Sequence, residues 1–173
     1  MKNYFAFLFL ILISSCSKEN AAAENPNYSF DNLLSYKDTL FIKSEFADCG
    51  EWGGHHEIIK IYSENKQTKL VYTKYKVDCG VRDNKGSTIQ NEEVKTNIVL
   101  SASQKVGLMN YINNLMHYNF MENEFGNSGN SFSVEDTENQ LKISHYGSSS
   151  MVMENYNNLM KKLGFPSVVV KSE

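Results

Sequence analysis

Residues 56–78 read HEIIKIYSENKQTKLVYTKYKVD, and the fold turns on whether this stretch is helix or strand. As a helix, His56-Glu57-Ile58-Ile59-Lys60 would approach the H-E-x-x-H zinc motif, in which one helical face carries both histidines and the glutamate acts as base. Lys60 stands where the second histidine is required, so the motif fails chemically. It also fails structurally, because HEIIKIYS (56–63) and KLVYTKYKVD (69–78) are β-branched and aromatic runs with period-two alternation. The polar ENKQT between them marks a hairpin with a loop of about five residues.

The same alternation extends to both sides. In YKDTLFIKSEF (36–46), Leu40, Ile42 and Phe46 share one face and Lys43 and Glu45 the other, as a half-buried strand requires. EVKTNIVL (93–100) repeats the pattern with Val94, Thr96, Ile98 and Leu100. The period then changes to that of a helix: Ser101 or Ser103 can cap a segment running to about Tyr118, with Leu108, Tyr111, Ile112 and Leu115 as its apolar stripe. Residues 119–132 contain a Gly/Asn/Ser run, read as a mobile loop over 126–131. QLKISHY (140–146) reads as a fifth strand.

Serines 148–150 precede a second amphipathic helix with the stripe Val152, Tyr156, Leu159, Met160 and Leu163. Lys161-Lys162 suit its C-terminal dipole and Gly164 a left-handed cap. SVVV (167–170) reads as a short edge strand. The expected fold is α+β, ordered β-β-β-β-α-β-α: an antiparallel sheet of about five strands with two amphipathic helices on one face.

The first residues give the chain an address. MKNYFAFLFLILISSC (1–16) has one positive charge, an apolar run and two small residues before Cys16. That is the layout of a secretory signal, too short to span a bilayer as a stable helix. Ile13-Ser14-Ser15-Cys16 resembles a bacterial lipobox, whose cysteine is acylated, palmitate included, and becomes the mature N-terminus. The expectation is a signal peptide over 1–15, a lipidated N-terminus and tether over 16–35 that joins the domain near Tyr28 or Phe30, and one domain over 36–173. Each buried methylene contributes about 0.8 kcal/mol, so several acyl chains hold a soluble domain firmly on a membrane. Ser17, in place of aspartate, favours passage to the outer membrane, on its periplasmic or cell-surface face.

Assigning Cys16 to lipid leaves two of the three cysteines, Cys49 and Cys79, each within Asp-Cys-Gly. They stand at the outer ends of the expected hairpin, and an oxidising compartment favours their pairing. Neither a C-x₂₋₄-C zinc knuckle nor a C-x-x-C redox pair is present. The net charge of −3 and a lone arginine, Arg82, argue against nucleic acid, which calls for a clustered basic face.

Chemistry concentrates in DCGEWGGHHE (48–57). On a strand, His55 and Glu57 share a face and His56 takes the other. His55 and Glu57, joined by Asp48 or Glu51, offer nitrogen and oxygen donors to a divalent metal, although no third ligand stands at recognisable spacing. The alternative for these residues is an exposed polar strand start. Trp52, among Gly50, Gly53 and Gly54, either displays its ring to a protein or glycan or packs over the disulfide. No G-x-S-x-G elbow and no phosphate-binding glycine motif occurs. The sequence therefore assigns no catalytic residue, cofactor or committed metal site, and the reading is a non-catalytic binding or structural module. Its alternatives are a metal-binding protein using His55/Glu57 and an inhibitor of an external hydrolase.

From Tyr36 to Gly164 the chain resembles an uncharacterised domain family of Bacteroidetes lipoproteins, through Cys49-Gly50, Ile61-Tyr62, the Phe120 region and Leu163-Gly164. The resemblance implies an envelope lipoprotein and carries no activity or functional residues.

Overall fold

The computed structural model describes residues 30–35, 39–121, 128–138 and 140–169. The expected leader over 1–15 and the expected acylation of Cys16 fall on residues outside this description. The fold is α+β: six antiparallel strands, β1 (Thr39–Glu45), β2 (His56–Glu64), β3 (Gln67–Lys76), β4 (Asn91–Val99), β5 (Asn130–Asp136) and β6 (Lys142–Gly147), with helices α1 (Phe30–Ser35), α2 (Ala102–Tyr118) and α3 (Ser150–Leu163). The strand order is β4-β3-β2-β1-β5-β6, so the chain builds a four-strand meander and then returns to the free edge of β1.

Alternation explains the burial. Leu40, Ile42, Ile59, Ile61, Leu70, Tyr72, Phe132, Val134 and Ile143 face a single core, and the stripes of α2 and α3 cover it. The buried residues of α2 are Leu108, Tyr111, Ile112 and Leu115, the stripe read from the sequence. Ser101 caps α2 through a capping box: its hydroxyl accepts the Gln104 N–H at 3.3 Å, and Gln104 Oε1 accepts the Ser101 N–H at 2.9 Å. α3 ends at Gly164, whose φ of +87° is the expected left-handed cap.

Four expectations are corrected. First, the hairpin loop between β2 and β3 has two residues, because Glu64 pairs with Gln67. Asn65 and Lys66 both take positive φ, 53° and 62°, as a type I′ turn demands; Glu64 and Gln67 are exposed strand ends, and Thr68 is already buried on β3. Second, 130–136 is a sixth strand. Asn130, Phe132, Val134 and Asp136 face inward, and the polar members are held by hydrogen bonds: Asn130 Oδ1 accepts the Ala47 N–H at 3.0 Å, and Asp136 Oδ1 accepts the Gln140 N–H at 2.9 Å.

Third, the segment read as tether enters the core before residue 36. Phe30 and Leu34 are buried one turn apart on α1, and Asp31 pairs with Lys105 of α2. Fourth, residues 167–169 form no strand. Instead the Asn157 carboxamide bonds both backbone groups of Val168, at 2.8 and 3.0 Å, and seats that valine on the core.

Candidate functional site: the disulfide corner and its groove

β1 ends against a corner that the sequence supplies with glycine. Phe46 N–H donates to His55 O at 3.0 Å and Cys49 N–H to Gly53 O at 2.8 Å, closing the loop around a 3-10 turn at Gly50–Trp52. At Gly54 a Cβ would lie 1.8 Å from Phe46 O, so only glycine lets the two backbones approach. Cys49 and Cys79 form a disulfide with Cα atoms 5.3 Å apart. It ties this corner to the β3–β4 connection.

That second loop is shaped by Asp83, whose Oδ1 accepts the N–H groups of Lys85 and Ser87, each at 2.8 Å. Side chains then join the loops. Thr88 Oγ1 donates to Trp52 O at 2.9 Å, and Gln90 bridges Gly54 O and the His56 N–H at 2.9 and 3.2 Å. Arg82 Nη1 donates to Gly86 O at 2.8 Å, which lays its guanidinium 4.3 Å from the Trp52 ring centroid. This is a cation–π contact between the only arginine and the only tryptophan of the chain.

His55 and Glu57 share a face as expected, but the face is the core. The alternative of an exposed polar strand start is therefore overturned for this pair, while His56 stays half-exposed on the other side. The His55 ring stacks on Phe46 with centroids 4.7 Å apart. Its Nδ1 bonds the Asp48 carboxylate, and its Nε2 stands 3.4 Å from Glu57 Oε1, an ion-pair distance without hydrogen-bond alignment. Tyr156 donates its hydroxyl to Glu57 Oε2 at 2.7 Å.

Burial opposes charge on the His55 imidazole, yet Glu57 and Asp48 together outweigh it and raise the His55 pKa. Burial, reinforced by the Glu57 carboxylate, also pushes the Tyr72 and Tyr156 hydroxyls upward, so both remain protonated donors. Among the described residues, no group of three His, Cys, Asp or Glu side chains is arranged to hold a metal. Asp48 bonds His55, and Glu57 stands at ion-pair distance from the other ring nitrogen, so the three line up from a half-buried carboxylate into the core. His117 is exposed on α2, and His145 is buried on β6 with neither ring nitrogen hydrogen-bonded.

Above this chain, on the sheet face away from the helices, lies a groove of about 490 Å³. Trp52 and Arg82 form one wall, with Glu45, His56, Gln90 and Tyr146 among the other lining residues. The indole is 63 % exposed, which favours display over packing on the disulfide. His56 faces Glu45 at 3.6 Å and holds the Glu45 carboxyl below the usual carboxylate range.

Of the residues singled out in the sequence, Trp52 reaches the groove, while His55 and Glu57 lie beneath it as support. Arg82, Gln90 and Tyr146 went unmarked. The one signal for Arg82 was its uniqueness three positions after Cys79.

The fold and site together define a class: a disulfide-cornered α+β sheet domain with its helices on one face and a side-chain-lined groove on the other. No family model, curated protein or solved structure was found to match the chain.

Proposed function

We propose that this protein is a lipid-anchored module of the bacterial cell envelope, held to the outer membrane through Cys16, and that it acts by binding a partner in the Trp52 groove. The observation that carries the reading is the stacked Trp52–Arg82 pair at the mouth of a groove whose two loops are covalently joined. An exposed aromatic on a rigid loop offers contact area with little conformational entropy to lose. The Asp48–His55–Glu57–Tyr156 chain supports the site from below by fixing the corner.

The entry point of the chain is compatible with an N-terminal anchor. Asp31 of α1 accepts the Thr68 hydroxyl at 3.3 Å, so the first described residues sit beside the β2–β3 turn. The groove lies at the opposite end of β2, whose nine residues extend roughly 30 Å at about 3.3 Å each. In this reading the chain enters the domain at α1, at the end of β2 opposite the groove.

Mass spectrometry of the mature protein tests the anchor: an acylated Cys16 as first residue is expected, and an unmodified N-terminus refutes it. For the groove, partner capture by the wild type and its loss with Trp52→Ala are expected. Equal recovery by both proteins refutes the site.

A further inference from the structure

The ligand of the groove can be narrowed by chemistry. Resting on the binding-module reading above, we infer that the groove takes a neutral polysaccharide chain, one sugar ring stacked on Trp52.

Shape is the first argument. The 490 Å³ hollow opens into a second of about 200 Å³ that shares Glu45, His56 and Ser131 and continues along Lys43, Ile58 and Ser133. The combined trough crosses the outer face of β2, β1 and β5, which suits an extended ligand better than a compact one.

Backbone accounting is the second. β2, β1 and β5 are interior strands, and their N–H and C=O groups are committed to the sheet ladders. A peptide adding as a strand needs an unpaired edge, which β2, β1 and β5 do not offer. Recognition across it falls to side chains.

Those side chains form the third argument. Arg82 only donates, Glu45 only accepts, and the hydroxyls of Ser131 and Ser133 do both, while the Tyr146 hydroxyl is held by the Gly129 N–H at 2.8 Å. A sugar hydroxyl likewise donates and accepts, so a mixed wall satisfies it where a purely basic or purely apolar wall would not. Charge disfavours the acidic sugars: Glu45 and Glu51 line the trough with Arg82 and Lys43, and Lys43 is paired with Glu135, so the site has no excess positive charge to attract a polyanion.

Arg82 is the fourth. The chain has 17 lysines and arginines, of which one is arginine, and that one sits over the only indole. A guanidinium stacks and keeps its planar fork of donors, whereas an ammonium is a compact point charge. Trp52 is largely exposed and lines the hollow beside Arg82, which leaves ring surface for the C–H face of a pyranose.

Native affinity electrophoresis of the detergent-solubilised full-length chain decides the matter, with gels containing a mixed-linkage β-glucan, xylan, mannan, amylopectin, alginate or polygalacturonate. At least one neutral polysaccharide is expected to retard the wild type. Trp52→Ala should weaken that retardation at least tenfold at unchanged Tm, Trp52→Phe should retain part of it, and Arg82→Lys should weaken it severalfold.

Retardation by the acidic polymers alone, retardation unchanged in Trp52→Ala, or no retardation in any gel would each overturn the sugar assignment. In the last case, capture of a protein partner that Trp52→Ala abolishes would leave the groove reading standing while removing the sugar. Absence of any Trp52-dependent binding removes both.

Discussion

Removing the Cys49–Cys79 disulfide should cost this domain about 3.6 kcal/mol while leaving its sheet and helices intact. The figure follows from the sequence separation of 30 residues: in the chain-entropy model, closing such a loop removes roughly 12 cal/mol/K from the unfolded ensemble at 25 °C. The bridge lies outside the core, between exposed loops, so Cys49→Ala/Cys79→Ala creates no cavity beneath the helices. Urea unfolding followed by far-UV circular dichroism measures the loss, and the m-value should rise slightly because the uncrosslinked chain exposes more surface.

A second readout is built in, since Trp52 is the only tryptophan and Arg82 lies on its ring. Acrylamide quenching of Trp52 should increase in the double variant, as the loops carrying the two residues lose their covalent tie. A stability loss below about 1 kcal/mol, or quenching unchanged from the wild type, would refute the account of the disulfide as the element that fastens the corner.

Further expectations test the supporting structure. The His55 pKa is raised by Glu57 and Asp48 against burial, so its contribution to stability is complete below the unfolded value of about 6.5. It is lost as pH rises through the higher folded value. Urea midpoints from pH 5.5 to 9 should show this decline in the wild type and not in His55→Gln, and parallel profiles would refute it. Tyr156→Phe removes a hydroxyl donated to a buried carboxylate, a loss of about 1.5–3 kcal/mol; a double-mutant cycle with Glu57→Gln should show coupling, and additive losses would count against the bond. Lys66→Gly should stabilise the domain by roughly 1 kcal/mol, because Lys66 holds φ at +62° in the hairpin turn; a lowered Tm would contradict the turn type. Gly54→Ala should cost about 2–3 kcal/mol or more, since its methyl meets the Phe46 carbonyl, and a variant of wild-type stability would disprove the close approach.

The strands and helices with clear periods were legible. Leu40, Ile42 and Phe46 on β1, and the stripes of α2 and α3, follow from alternation and from three- to four-residue spacing, because burial on one face imposes those periods. β5 was not legible, since its first and last inward residues, Asn130 and Asp136, are polar and are admitted to the core only by partners at Ala47 and Gln140. α1 escaped for a different reason. Two buried residues one turn apart, Phe30 and Leu34, are too few to establish a period. The type I′ turn was hidden because Glu64 and Gln67 look like loop residues although they pair as strand ends.

For the site, the boundary is similar. Sequence alone determined the α+β class, the dense corner chemistry and the sharing of a face by His55 and Glu57, which rest on local spacing, and it favoured the pairing of Cys49 with Cys79 from their place at the ends of the expected hairpin. Only the tertiary structure decided which face was buried. It turned His55 and Glu57 from a surface metal candidate into an internal charge chain capped by Tyr156, since α3 is packed over that end of β2. It also set Arg82 on Trp52, a contact between residues thirty positions apart that no local pattern encodes, because a sheet register and a disulfide must first bring their two loops together.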